Sequence, residues 1–198
     1  MFYYIDSFLG YMQSGGFVMW PLLFLSMVLW YALGYRYHSV IRGSQISVRE
    51  LVRRHRNGKR KDKKGILDIA IAESMELSKK CESTVNARRL LDDAHHKYLV
   101  SLKMYERTIK AIVVVAPLIG LLGTVIGMIE TFDSLASASL FSQSGGIAGG
   151  ISQALFTTQF GLVVAVPGLV IGRILDRHAN RIIYELEQVK DLICSEGL

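Results

Sequence analysis

AIVVVAPLIGLLGTVIGMI, residues 111–129, contains no Asp, Glu, Lys, Arg or His. A helix needs about 20 apolar residues to cross the hydrocarbon core of a bilayer, and this stretch is close to that length. Two more runs lack Asp, Glu, Lys and Arg altogether: residues 7–35 and residues 134–172. A soluble domain rarely hides three such runs in 198 residues, 20% of them charged. The composition excludes a disordered tail, a disulfide-rich secreted domain and a collagen-like fibre. The chain reads as an all-α integral membrane protein.

The positions of the cations set the topology. Of 23 Lys and Arg residues, nineteen lie between 36 and 110 and four between 173 and 190. Cytoplasmic segments retain Lys and Arg, so the N-terminus is expected outside and both basic regions inside. Three transmembrane helices satisfy that alternation, at 16–35, 109–131 and 154–173. An outer amphipathic segment (1–15) precedes them. A cytoplasmic helical domain (36–108), an outer connection (132–153) and a cytoplasmic C-terminal helix (174–198) complete the chain. The first span is no cleavable signal peptide, because its leading segment carries Asp6 and no cation. Trp20, Trp30, Tyr31 and Tyr35 stand where interfacial anchors belong. Phe2, Tyr3, Tyr4, Ile5, Phe8 and Tyr11 suggest a short helix at the outer surface, broken at Gly15-Gly16.

Residues 66–116 hold 51 positions without Gly or Pro. That run predicts one long helix entering the membrane as the second span without a break. The third span is expected to continue likewise into the C-terminal helix. There Leu175, Ala179, Ile182, Leu186, Val189 and Ile193 form a heptad-like packing seam. Arg173, Arg177 and Arg181 make a basic stripe just inside the membrane, facing anionic lipid, a carboxylate partner or water. The basic run over 53–64 has no interleaved aromatic residue, so cytoplasmic retention explains it better than nucleic-acid binding. His95 and His96 read as surface residues, since neighbours about 100° apart on a helix do not share a metal. Cys81 and Cys194 both fall inside, as reduced thiols without a metal-ligand partner.

The second and third spans carry the informative chemistry. On a helical wheel, Ala116, Gly120, Gly123, Thr124, Gly127, Thr131 and Ser134 share one face, opposite Leu118, Leu122, Val125 and Ile129. Ala154, Thr157, Thr158, Gly161, Ala165, Gly168 and Gly172 repeat the design, with Gln153 at the flank of the stripe. Small faces permit close helix packing, and Gly123-x-x-x-Gly127 matches a common packing motif. The alternative is a pathway wall, in which mid-membrane hydroxyls bind water or a cation. No span holds a buried Asp, Glu, Lys, Arg or His; Glu130 and Asp133 sit at the outer mouth. A titrating group would therefore belong to a partner. Without a phosphate-binding loop, a Ser/His/Asp arrangement or a metal cluster, the chain does not read as an enzyme, and no cofactor is expected.

Ala116-Pro117-x-x-Gly120-Leu121-x-Gly123-Thr124-Val125-x-Gly127 resembles the A-P-x-x-G-L-x-G-T-V-x-G signature of the MotA/TolQ/ExbB proton-channel family. Gly150-Ile151-x-Gln153-Ala154-Leu155-x-x-Thr158-x-x-Gly161-Leu162, followed by Ala165-x-Pro167, is similar to a second segment of its ExbB and TolQ branch. The resemblance implies a homopentameric ring in the bacterial inner membrane, with long second and third helices reaching into the cytoplasm. Two copies of an ExbD/TolR-like single-span partner would occupy its pore, each with a membrane Asp. Thr124 and Thr158 would face that ion-accepting carboxylate, with Thr157 and Gln153 nearby on the ion pathway. Ala116, Gly120, Gly123, Gly127, Ala154, Gly161, Ala165 and Gly168 would pack the helices or line the pore. Ion flow would turn the ring and work on a TonB-like protein that energises transport across the outer membrane. Moving one charge through 100 mV supplies about 2.3 kcal/mol.

In one position the chain departs from the pattern: relatives carry Glu where Gln153 stands. Gln cannot titrate, and uncharged oxygens suit a dehydrated metal cation, so Na+ is an alternative to H+ as the transported ion. A TolQ-like subunit of the Tol-Pal envelope system is the neighbouring reading. An ABC-type permease or a passive membrane scaffold is the reading from a different class.

Overall fold

The computed structural model describes residues 10, 12, 14–40, 47–56, 65–78, 84–137 and 144–195. Six helices are numbered here: α1 Met19–Ser39, α2 Val48–Arg56, α3 Ile66–Ser78, α4 Thr84–Lys103, α5 Glu106–Ser137 and α6 Ser144–Ser195. No strand occurs among the described residues. The chain divides into two compact units, one of Met1–Leu33 with Arg107–Gly172, the other of Gly34–Glu106 with Arg173–Leu198.

The first unit holds most of α1, α5 and α6. Gly16 takes φ 67°, a left-handed value that a residue with a side chain adopts only at a cost. Its carbonyl accepts from the Met19 N–H at 3.2 Å, which opens α1. On α5 the small face is the buried one: Ala116, Gly120, Gly123, Gly127 and Thr131 are covered, while Leu118, Leu121, Leu122, Val125 and Ile129 are exposed. On α6, Ala154, Thr157, Gly161, Ala165, Gly168 and Gly172 are buried, and Leu155, Val163, Val166 and Val170 are exposed. A soluble protein buries its large apolar side chains; along α5 and α6 of this unit many of them face outward and the small ones inward. Among the described residues, two helical stretches are long and apolar enough to cross a membrane, 88–136 and 147–194.

The second unit is built around a conventional apolar core. Val48, Leu51 and Val52 of α2, Leu67, Ala70 and Ile71 of α3, and Leu91 and Leu102 of α4 are buried together. Ala179, Ile182, Leu186, Val189 and Ile193 of α6 join them. The C-terminal heptad seam thus packs as its spacing predicts, with Leu175 buried as well.

The run without Gly or Pro does not form one helix. α3 and α4 are separate helices that pack on each other. A two-residue turn at Met104 and Tyr105 then parts α4 from α5, with Tyr105 at φ 60°. A left-handed Tyr costs about 1–2 kcal/mol. Its ring is held edge-on against Tyr35, centroids 5.2 Å apart, a contact that offsets about 0.5–1.5 kcal/mol of that. The outer-surface helix expected over residues 2–11 falls, apart from Gly10, outside the described residues, as do Cys81 and positions 57–64 of the basic run.

Candidate functional site: the threonine face of α5 and α6

Close approach of the two helices starts at Gly120. A Cβ there would stand 2.9 Å from the Thr157 carbonyl oxygen and 3.2 Å from the Thr158 Cα. One turn further along, Gly123 leaves a notch that the Thr157 side chain fills: a Cβ on Gly123 would lie 2.5 Å from Thr157 Cβ and 2.8 Å from its Cγ2. Thr157 is fully buried for that reason. Van der Waals contact of this kind drives helix association where hydrophobicity offers little.

The hydroxyls are all satisfied from within. Thr157 Oγ1 donates to the Ala154 carbonyl at 3.0 Å, and Thr124 Oγ1 to the Leu121 carbonyl at 2.6 Å. Thr158 Oγ1 donates to the Ala154 carbonyl at 3.1 Å, with the Gly120 carbonyl of the facing helix at 3.5 Å. A hydroxyl has one proton and two lone pairs. With the proton held by a carbonyl, each oxygen is left as an acceptor.

Thr124 and Thr158 are half-buried, Thr157 wholly so. Thr124 lies about 40° round from Gly120, and Thr158 about 100° round from Thr157. In an antiparallel pair those rotations lead to the same flank. Gln153 and Glu130 rotate the other way, by about 40° and 80°. There the Gln153 Nε2 donates to Glu130 Oε1 at 3.3 Å. Gly16 packs against the same side chain, so closely that a Cβ would be 2.5 Å from Nε2. By these rotations Thr124 and Thr158 turn to one flank, while Gln153 sits apart, between α5 and the turn that opens α1.

Arg173, Arg177 and Arg181 are exposed, and the Arg181 Nε donates to Glu185 Oε1 of its own helix at 3.2 Å. Among the described residues no group of His, Cys, Asp and Glu is arranged to hold a metal.

Two polar features were not anticipated. His95 is no surface residue: it is 6% exposed, with Nε2 2.8 Å from Ser74 Oγ. Ser74 gives its own proton to the Ala70 carbonyl at 2.6 Å, so His95 is the donor and carries its proton on Nε2. Burial, then the charge of Lys190, holds this imidazole below its ordinary range, against the pull of Glu187, Asp92 and Glu73. The signal was present: Leu91, His95, Tyr98 and Leu102 follow core spacing. Around it, Lys190 Nζ donates to Asp92 Oδ1 at 2.7 Å, lashing α6 to α4. Tyr98 and Lys97 both donate to the Glu73 carboxylate, joining α4 to α3; those donors hold it below the usual carboxylate range. The second feature is Arg36, 1% exposed, with NH1 2.5 Å from Asp176 Oδ1 and NH2 3.6 Å from Glu106 Oε2.

An apolar helix pair with small facing surfaces and hydroxyls on one flank is the pattern of an α-helical membrane subunit. The profile of the MotA/TolQ/ExbB proton channel family matches residues 62–188, and the chain belongs to that family. It is 38% identical over 88 residues to an ExbB-like 3 biopolymer transport protein of Synechocystis sp., covering 44% of this chain and 42% of that one. It is 32% identical over 103 residues to biopolymer transport protein exbB1 of Vibrio cholerae serotype O1, covering 52% and 43%. A second Synechocystis protein, ExbB-like 1, is 29% identical over 184 residues, covering 86% and 70%. The matched stretch thus spans about two fifths of the first two relatives. All three carry ExbB names, which sets the chain on the ExbB side of the family and leaves the permease reading without support.

Proposed function

We propose that this chain is the ion-channel and motor subunit of an ExbB-ExbD-type complex of the bacterial inner membrane. In this reading α1 is a third span, the N-terminus is periplasmic and the second unit is cytoplasmic. Five copies surround two single-span partners, each bringing a membrane Asp. Thr124 and Thr158 present lone pairs toward that carboxylate while it takes up and releases H+, or Na+ in the alternative. The ring then drives a TonB-like protein, and the exposed arginines at 173, 177 and 181 meet lipid headgroups or a carboxylate partner. What supports the reading is the placement of two half-buried threonines on one flank of a helix pair with small facing surfaces.

The test is Thr158→Val, which keeps the shape and removes the oxygen. Its i−4 hydrogen bond is local to the helix, so the change costs no more than about 1 kcal/mol of stability. The variant should assemble with the partner at the native mass yet fail to support ion-driven uptake. Wild-type uptake by the assembled variant would leave a passive scaffold as the better account.

A further inference from the structure

The second unit contains a charge cluster that the ion pathway does not use. Arg36 is all but sealed from solvent, and its Nε is buried with no hydrogen-bond partner among the described residues. Its two terminal nitrogens face Asp176 of α6 and Glu106 at the start of α5. Adjacent to it, Tyr35 stacks edge-on against Tyr105. One turn on, Ser39 Oγ lies 3.1 Å from Ser101 Oγ and 3.3 Å from the Ser101 carbonyl oxygen. Successive turns of α1 are thus tied to the end of α4, the α4–α5 turn and the start of α5 by a hydroxyl pair, an aromatic pair and an ion pair, and Arg36 reaches α6 as well.

A buried ion pair is weak support for stability, because desolvating the charges offsets their attraction. Apolar residues of similar volume often serve as well or better. What charged groups add is direction: a guanidinium satisfies carboxylates at fixed angles, whereas apolar side chains slide. We propose that Arg36 is a positioning residue. It fixes the rotational register of α1, α5 and α6 where the three leave the second unit, and the ion-driven cycle requires that register although folding does not. The inference rests on the motor reading above.

The test compares full-length chains co-expressed with the single-span partner. Arg36→Met with Asp176→Leu replaces the charged pair by apolar groups. Arg36→Asp with Asp176→Arg exchanges the charges. Rotation of α1 against the end of α4, which leads into α5, is read from the yield of a cross-link between cysteines placed at Ser39 and Ser101, and function from ion-driven uptake. The apolar variant should assemble at the native mass and melt no earlier than wild type. Its cross-link yield and its uptake should both fall by roughly tenfold, the scale of one lost hydrogen bond to a charged group. The exchange should recover most of both. An assembled apolar variant with wild-type cross-linking and uptake overturns the proposal, as does an assembled exchange variant that recovers neither. Thr158→Val is run beside them: wild-type uptake there removes the motor reading itself, whatever the Arg36 variants do.

Discussion

The notch at Gly123 offers a quantitative test of how α5 and α6 hold together. Gly123→Ala alone places a carbon 2.5 Å from Thr157 Cβ and 2.8 Å from Cγ2, nearer than packed carbons approach. Overpacking of this kind costs about 1–3 kcal/mol, and the upper part of that range applies because Thr157 Cβ is fixed by the backbone and cannot swing away. The better helix propensity of Ala returns about 1 kcal/mol, leaving a net loss of about 1–2 kcal/mol. Thr157→Ala alone empties the notch and loses a methyl's contacts, about 0.5–1.5 kcal/mol by analogy with Ile→Val. Together the two changes clear Thr157 Oγ1 and Cγ2 from the notch, but the alanine that replaces Thr157 keeps its Cβ 2.5 Å from the new carbon, so only part of the overpacking is relieved. The double variant should then lose less than the sum of the two single changes, a favourable coupling of about 0.5–1 kcal/mol. The assay is a double-mutant cycle on unfolding in mixed micelles, with native mass monitored throughout. If the two losses simply add, Thr157 does not sit in the Gly123 notch and the helix seam is wrongly described.

Further predictions concern other parts of the molecule. Gln153→Ala should reduce uptake less than Thr158→Ala, since Gln153 lies on the opposite flank from the threonines; equal losses would refute that ranking. Because the folded chain holds His95 below the ordinary 6.5 of an imidazole, the unfolded chain takes the proton first as pH falls. Stability should therefore be intact above about 6.5 and decline below it; the thermal midpoint should drop more between pH 7.5 and 5.5 in wild type than in His95→Gln, and equal drops would count against the buried imidazole. Leu186, 1% exposed at the centre of the C-terminal seam, should cost about 2–5 kcal/mol on truncation to Ala. Tyr184→Ala, at a side chain 66% exposed, should stay within about 0.5 kcal/mol by the same melting assay.

Most of the helix pair was legible in the sequence because its determinants are local and periodic. A charge-free run marks a span, and Gly, Ala and Thr recurring every three or four residues mark the buried face. The seam from Leu175 to Ile193 was legible on the same grounds. The turn at Tyr105 was not, because breaks are read from Gly and Pro, and a left-handed Tyr is stabilised by a ring far off in the chain. Arg36 was counted only as one cation among many marking the inner side; what buries it is Asp176, on a different helix. His95 was judged by its neighbour His96 and not by its place between Leu91 and Leu102. Within the candidate site, the threonines were visible, but the flank to which each turns depends on how two antiparallel helices meet.

The internal bonding of the threonine hydroxyls has a consequence for which ions the wall would admit. An anion is stabilised by N–H or O–H groups aimed at it, and Thr124, Thr157 and Thr158 aim theirs at their own backbone. Chloride passing the proposed pathway would meet only oxygen lone pairs, which repel it. A sodium ion or hydronium would meet ligands. Valence selection of this sort would need no fixed charge on these two helices: in the proposed pathway it would come from the orientation of the Thr124 and Thr158 protons.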